Sequence, residues 1–182
     1  QHIIYLTPKQ TDYTKLILES GNNLLHIVND VLDLTKIESG KIELEHIPFD
    51  LAHKINVTIR TFTFKVEEKG LKLEFINKVP VDTVLIGDPF RLGQVLNNLI
   101  GNAVKFTEKG SITVYAEQIS DEDRPVFEFR VKDTGIGIAA DQLPMIFEEF
   151  VQASTDTSRK YGGTGLGLSI SKNLVQLQGG TI

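Results

Sequence analysis

The sequence predicts an α+β domain led by one long helix. Three observations carry that prediction. Apolar residues recur at three- and four-residue steps through residues 8–38, the period of a helix face. From residue 41 onward, short β-rich runs such as "LKLEFI" and "SITVYAEQI" alternate with helical blocks. Glycine clusters and polar turns separate those runs and blocks, which reads as one mixed domain and not as a bundle or a sandwich.

The elements follow in order. Thr7-Pro8 is a cap-then-proline opening, since proline suits the first helical position. Leu16, Ile17, Leu24, Ile27, Val28, Val31 and Leu34 then form a stripe that Leu18, Leu25 and Leu32 widen. So wide a stripe on roughly 45 Å of helix needs more than one neighbour, which predicts an incomplete helical bundle. Ser39-Gly40 ends the helix. "KIELEHIPF" alternates like a short strand, and Asp50 caps a helix over residues 51–69 that Gly70 closes. Strands are expected at 71–76 and 83–87, and a helix from Asp88 to about Phe106. "SITVYAEQI" and "PVFEFRVKD", joined by a polar turn, predict an antiparallel hairpin. A short helix near "ADQLPMIF", a polar stretch "QASTDTSRKYGG" and a last helix "LGLSISKNLVQLQ" complete the chain. The expected domains are residues 1–39 and 41–182.

Composition excludes several function classes. The net charge of -5 argues against a nucleic-acid partner or an anionic membrane surface, which need concentrated Lys and Arg. Cysteine is absent, so there is neither a disulfide framework nor a thiolate metal site. No apolar run approaches the about 20 residues that span a bilayer, so the expectation is a soluble piece without membrane contact.

Three constellations carry chemistry. In "DPFRLGQVLNNLIGNAVKFT", Leu92, Val95, Leu96, Leu99, Ile100 and Ala103 make a buried stripe, while Asn98, Asn102 and Lys105 share a separate face. Two carboxamides and an ammonium on one line suit Mg²⁺ and the phosphates it neutralises; a solvated polar face is the plain alternative. In "VKDTGIGI", Asp133 can accept a hydrogen bond from an exocyclic amine, with Gly135 and Gly137 admitting a flat ring. The alternative there is a strand-end turn capped by Asp133. "GIGIAA" also fits the dinucleotide fingerprint, but no second parallel strand is expected after it. In "RKYGGTGLGLSI", Gly162, Gly163, Gly165 and Gly167 flank a helix start, where unpaired N–H groups favour anions, and Arg159 and Lys160 add positive charge. "FEEF" sets phenylalanines 147 and 150 at the root of the polar stretch, as its expected anchor.

In order and spacing, "NNLIGNAVKFT", "DTGIGI", "FEEF" and "GGTGLGL" resemble the N box, first glycine box, F box and second glycine box of sensor histidine kinases. "LESGNNLLHIVNDVLDLTKIESGKIELE" resembles the second helix of their dimerisation and phosphotransfer domain, in the hybrid style. The resemblance covers nearly the whole chain. It implies a Bergerat-type ATP-binding sandwich, a mixed sheet with helices on one face. It implies Asp133 on the adenine amino group, Asn102 with Asn98 on Mg²⁺, and Lys105, Arg159 and Lys160 on the phosphates. Gly163, Thr164, Gly165, Leu166 and Gly167 would present backbone to ATP or ADP, under a lid over residues 152–162. It further implies homodimerisation through the stalk, a response-regulator receiver domain as partner, a cytoplasmic setting and a parent protein that can be anchored in the inner membrane.

Two departures and one substitution qualify it. His2, His26, His46 and His53 lack the acidic and Thr-Pro context of the phosphoacceptor, so no catalytic residue is assigned, and the acceptor with its general base is expected on a first helix outside this sequence. The chain ends at "GGTI", where the family continues through a hairpin. The expectation is therefore a piece of a longer protein that does not autophosphorylate by itself. Ser154 stands where hybrid kinases often carry Asp. Other readings are a non-catalytic nucleotide-binding module, and an ATP-hydrolysing relative. The hydrolysing relatives carry a glutamate where Asn98 stands, and a carboxamide cannot activate water as that base does.

Overall fold

A computed structural model describes residues 6–120, 125–151 and 164–182. The chain divides into two compact units, Gln1–Ile42 and Glu43–Ile182.

The first unit is dominated by α1, Pro8–Glu38. Thr7 and Gln10 form a reciprocal capping box at its start, and Gly40, at φ 64°, follows the C-cap Ser39. Along the helix Leu16, Ile17, Leu18, Leu24 and Leu25 stand exposed, each at 60% or more. His26 lies on this helix with Nδ1 3.3 Å from Asp30 Oδ1, a pairing of side chains one turn apart.

The second unit holds β1 (Ile47–Asp50), α2 (Leu51–Arg60), α3 (Thr63–Glu68), β2 (Lys72–Lys78), β3 (Val84–Gly87), α4 (Pro89–Phe106), β4 (Ser111–Gln118), β5 (Phe127–Asp133), a single 3₁₀ turn (Leu143–Met145) and α5 (Gly167–Leu177). β2 pairs parallel with β4, and β4 antiparallel with β5, giving a mixed sheet in the order β2-β4-β5. β1 and β3 form a separate antiparallel pair. Along β4 every second residue, Ile112, Val114 and Ala116, is fully buried, and these meet Leu51, Ile55, Leu96 and Ile100 in the core. Each such Leu or Ile contributes roughly 1.5–3 kcal/mol through burial. α4 lies on β4 and β5 and also touches α2 and α5, so the helices share one face of the sheet. That is the α+β sandwich the sequence implies.

Three expectations change. The alternating run from 41 to 49 is strand only from Ile47. The helix expected over 51–69 is two helices, with Thr61 and Phe62 turning between them: Thr61 N–H and Phe62 N–H close tighter bonds three residues back, to Thr58 O at 3.2 Å and Ile59 O at 3.0 Å. The helix near "ADQLPMIF" is one 3₁₀ turn, which a proline within it does not extend. The hairpin forms as expected, in the register Ile112↔Asp133. Residues 121–124 of its link lie outside the described residues.

Candidate functional site

α4 places the first group of side chains. Asp88 caps its start, accepting from Arg91 N–H at 2.9 Å and Glu45 N–H at 3.1 Å. Asn98, Asn102 and Lys105 are all half-buried, so their face is not the plain solvated one. Asn102 Nδ2 donates to Asn98 Oδ1 at 3.4 Å, and Asn98 Nδ2 donates to Ser171 Oγ on α5 at 2.8 Å. Ser171 is 2% exposed and locks the Asn98 carboxamide between two helices. Gly167, at the start of α5, packs against that same carboxamide, where a Cβ would collide with Asn98 Oδ1. The N box and the second glycine box thus meet directly. Sequence spacing could not show Ser171 as a member, although it stands four residues after Gly167 on the same helix face.

The Lys105 Nζ lies 4.8 Å from the Phe106 ring centre. Burial pushes its pKa below the ordinary lysine value, because the charged form loses water. The protein alone supplies Lys105 poor hydration, so an anion placed beside it gains more than at a surface lysine.

The second group follows β5. Asp133 is exposed, and its Oδ1 accepts from Gly135 N–H at 2.8 Å. The strand-end turn left open by the sequence therefore forms, and it orients the carboxylate without consuming both oxygens of a group that offers about four acceptor positions. Gly135 sits where a Cβ would stand 2.5 Å from the Phe106 carbonyl oxygen, and Ile136 N–H donates to that oxygen at 3.4 Å. Gly137 has φ 70° with open space around it, a backbone that favours glycine. Thr134 Oγ1 accepts from Ser111 N–H at 3.0 Å, tying the loop to the start of β4. Phe106, Thr134, Gly135 and Ile136 line one open cleft.

The third group opens α5. Thr164 Oγ1 accepts from Leu166 N–H at 3.1 Å, and Leu166 is 1% exposed. Gly165 has φ 74°, and its missing Cβ would stand 3.0 Å from the Phe150 carbonyl carbon. Phe150 itself has φ 60° with an exposed ring. Gly165 therefore approaches the F box at the Phe150 backbone, while Phe147 is half-buried. Arg159, Lys160, Gly162, Gly163 and the expected lid at 152–162 lie outside the described residues.

Asn98 and Asn102 offer two carboxamides with the Lys105 ammonium on the same line, and no group of three or more His, Cys, Asp or Glu among the described residues could hold a metal. This donor set fits an ion that keeps waters and takes most of its ligands from phosphate.

Residues 87–182 match the family described as histidine kinase-, DNA gyrase B-, and HSP90-like ATPase. The chain belongs to this family. It is 44% identical over 178 residues to the signal transduction histidine-protein kinase BarA of Escherichia coli K12, covering 97% of this chain and 19% of that protein. It is also 44% identical over 181 residues to the sensor protein GacS of Pseudomonas syringae pv. syringae, covering 97% of this chain and 20% of that one. The chain thus spans about a fifth of the length of these relatives. Among solved structures, full-length ShkA in complex with AMPPNP superposes with a TM-score of 0.78 at 37% identity, over 97% of this chain and 35% of that one. The sensor histidine kinase resemblance read from the four boxes holds, and the fold is that of the kinase ATPase domain. No helix among the described residues is long and apolar enough to cross a membrane.

Proposed function

We propose that this chain is the ATP-binding core of a histidine kinase, which holds Mg–ATP and presents its γ-phosphoryl group to a histidine on a helix outside this sequence. The observation that carries the reading is the direct junction of the boxes: Asn98 bonded to Ser171 and seated against Gly167, with Asn102 and Lys105 continuing the same line. Phosphoryl transfer asks mainly for positioning and charge neutralisation, and this junction supplies both.

Asp133 accepts the adenine amino hydrogen bond through its outer oxygen, while Gly135 and Gly137 leave room for the ring. Asn102, with Asn98 beside it, holds Mg²⁺, which spreads the phosphate charge. Lys105 neutralises the phosphates, joined by Arg159 and Lys160. The backbone N–H groups of Thr164, Gly165 and Gly167 before and at the opening of α5 turn to the same anion, joined by Gly163, while Leu166 N–H stays with Thr164 Oγ1 and fixes the turn. The transferred group then passes to an aspartate of a response-regulator receiver domain. The exposed stripe of α1 serves homodimerisation, and the site works in the cytoplasm.

Asn98 bears on the hydrolase alternative. Its carboxamide is committed to Ser171 and Asn102 and has no basic oxygen pair to activate water. Steady phosphate release from ATP by this chain is therefore expected to stay near background.

The direct test is calorimetric titration of the chain with ADP, with and without magnesium. Magnesium-dependent binding is the expected result. Absence of binding at millimolar nucleotide overturns the reading in favour of a non-catalytic scaffold.

The lowered pKa of Lys105 adds a second expectation. Phosphates beside the ammonium favour its protonated form, so binding raises the pKa that burial had lowered. Between those two values the complex holds more protons than the free protein does. Affinity therefore falls as pH rises through that window, which opens below the ordinary lysine value. In Lys105→Arg, whose guanidinium stays charged, that fall disappears. Titrations across a pH series, in buffers of differing ionisation enthalpy, read both the slope and the proton uptake.

A further inference from the structure

We infer that Lys69 is a positioning residue for the nucleotide site, acting as the C-terminal cap of α4. This rests on the proposed nucleotide reading and adds a residue outside the four boxes.

The last carbonyls of a helix have no N–H four residues ahead to receive, and their partial negative charge attracts cations. At the end of α4, Ala103 O receives Thr107 N–H at 3.1 Å, after which the chain leaves the helix. Lys69 Nζ donates to Val104 O at 2.6 Å, with longer contacts to Lys105 O at 3.3 Å and Thr107 O at 3.4 Å. Phe106 O receives Ile136 N–H from the first glycine box. Four successive carbonyls are thus shared between the helix itself, one lysine from 35 residues upstream and the proposed adenine loop. Thr107 Oγ1, buried in the same turn, has no hydrogen-bond partner among the described residues, so the polar satisfaction of this turn falls on its main chain and on Lys69.

The fold delivers Lys69 there. Gly70, at φ 64°, closes α3, with Leu71 N–H donating to Val66 O at 2.9 Å. Lys72 N–H then donates to Gly110 O at 3.0 Å as parallel pairing begins at Lys72↔Ser111. That register sets the turn before β2 beside the turn before β4. A four-carbon stem then reaches the helix end.

Its consequence for the site follows from what the capped turn carries. Lys105 belongs to it, and the Phe106 carbonyl is the surface on which Gly135 and Ile136 rest. Without the ammonium, the turn loses its charge-assisted bonds, and both the phosphate lysine and the adenine loop lose their common support.

The test compares Lys69→Met, Lys69→Arg and the unaltered chain in ADP–magnesium calorimetry and amide hydrogen exchange. Ile55→Val, which removes a buried core methyl group, serves as a control for stability alone. Lys69→Met is expected to bind about tenfold more weakly, in line with the loss of a charge-assisted bond, and to speed exchange at Thr107 and Ile136. Lys69→Arg is expected to restore most of both, and Ile55→Val to leave affinity unchanged. Unchanged affinity in Lys69→Met overturns the positioning role while the nucleotide reading stands. Equal weakening in Ile55→Val reduces Lys69 to a contributor to global stability. If the unaltered chain binds no nucleotide, the positioning role falls with the reading on which it rests, whatever the exchange rates show.

Discussion

Asp133→Asn is expected to weaken ADP binding by about ten- to a hundredfold while leaving the melting midpoint nearly unchanged. The two halves of that expectation have separate causes. The turn survives because asparagine keeps an oxygen where Asp133 Oδ1 accepts the Gly135 N–H at 2.8 Å. The binding loss comes from the other oxygen of the carboxylate, which becomes an amide NH₂. A donor then faces the amino donor of adenine, and a hydrogen bond to a charged acceptor, worth roughly 1.5–3 kcal/mol, is replaced by a repulsive pair. Calorimetry with ADP and with inosine diphosphate checks this: the inosine ring presents an oxygen at that position, so the preference should narrow or invert in the variant. Equal affinities of variant and parent for ADP would remove Asp133 from the adenine role.

Gly135→Ala should act on fold and site together. Its new Cβ would stand 2.5 Å from the Phe106 carbonyl oxygen and 2.8 Å from Asp133 Oδ1. The first neighbour is backbone at the end of a packed helix, so the loop must move away from α4 and surrender the Ile136–Phe106 bond. Overpacking of this kind costs about 1–3 kcal/mol. The displaced loop carries Asp133 with it, and a small misplacement of a positioning group has large consequences for affinity. Urea unfolding should show a lower midpoint at unchanged slope, and ADP binding should be lost or nearly so. Gly137→Ala supplies the contrast. That Cβ meets nothing within 4 Å, although φ 70° remains uncomfortable for alanine. The cost there is backbone strain alone, roughly 1–2 kcal/mol, with a smaller effect on binding. Equal stabilities for the two variants would show that the close approach of the loop to Phe106 does not matter.

Much of this protein was legible without a fold. The limits of α1 were written in Thr7-Pro8 and Ser39-Gly40, those of α4 in Asp88-Pro89 and the loss of its stripe after Phe106, and β4 in its strict alternation. Each is a short-range decision, made by caps, prolines and periodicity within a few residues of the place it governs. The chemistry of the site was legible for a similar reason: Asn98, Asn102 and Lys105 fall on one helix face by arithmetic, and Asp133 falls at a strand end. The break between α2 and α3 was not legible, because the apolar period runs through it and no capping side chain marks the start of α3.

What only the tertiary structure decided are partnerships across long separations. Ser171 reaches Asn98 from 73 residues away, Lys69 reaches Val104 across 35, and the parallel register of β2 on β4 aligns segments that a helix and a strand keep apart in sequence. None of these leaves a periodic trace, since a side chain's propensity says which element it prefers and not which distant group will stand beside it. The F box makes the same point. Its motif says nothing of Gly165, yet Gly165 comes close to the Phe150 backbone, and of the two phenylalanines Phe150 is exposed while Phe147 is half-buried. Sequence by itself determined most of the elements, the family and the candidate groups for a nucleotide. Packing in three dimensions decided which of them touch, because such contacts stabilise only after the chain has closed the long loops between them.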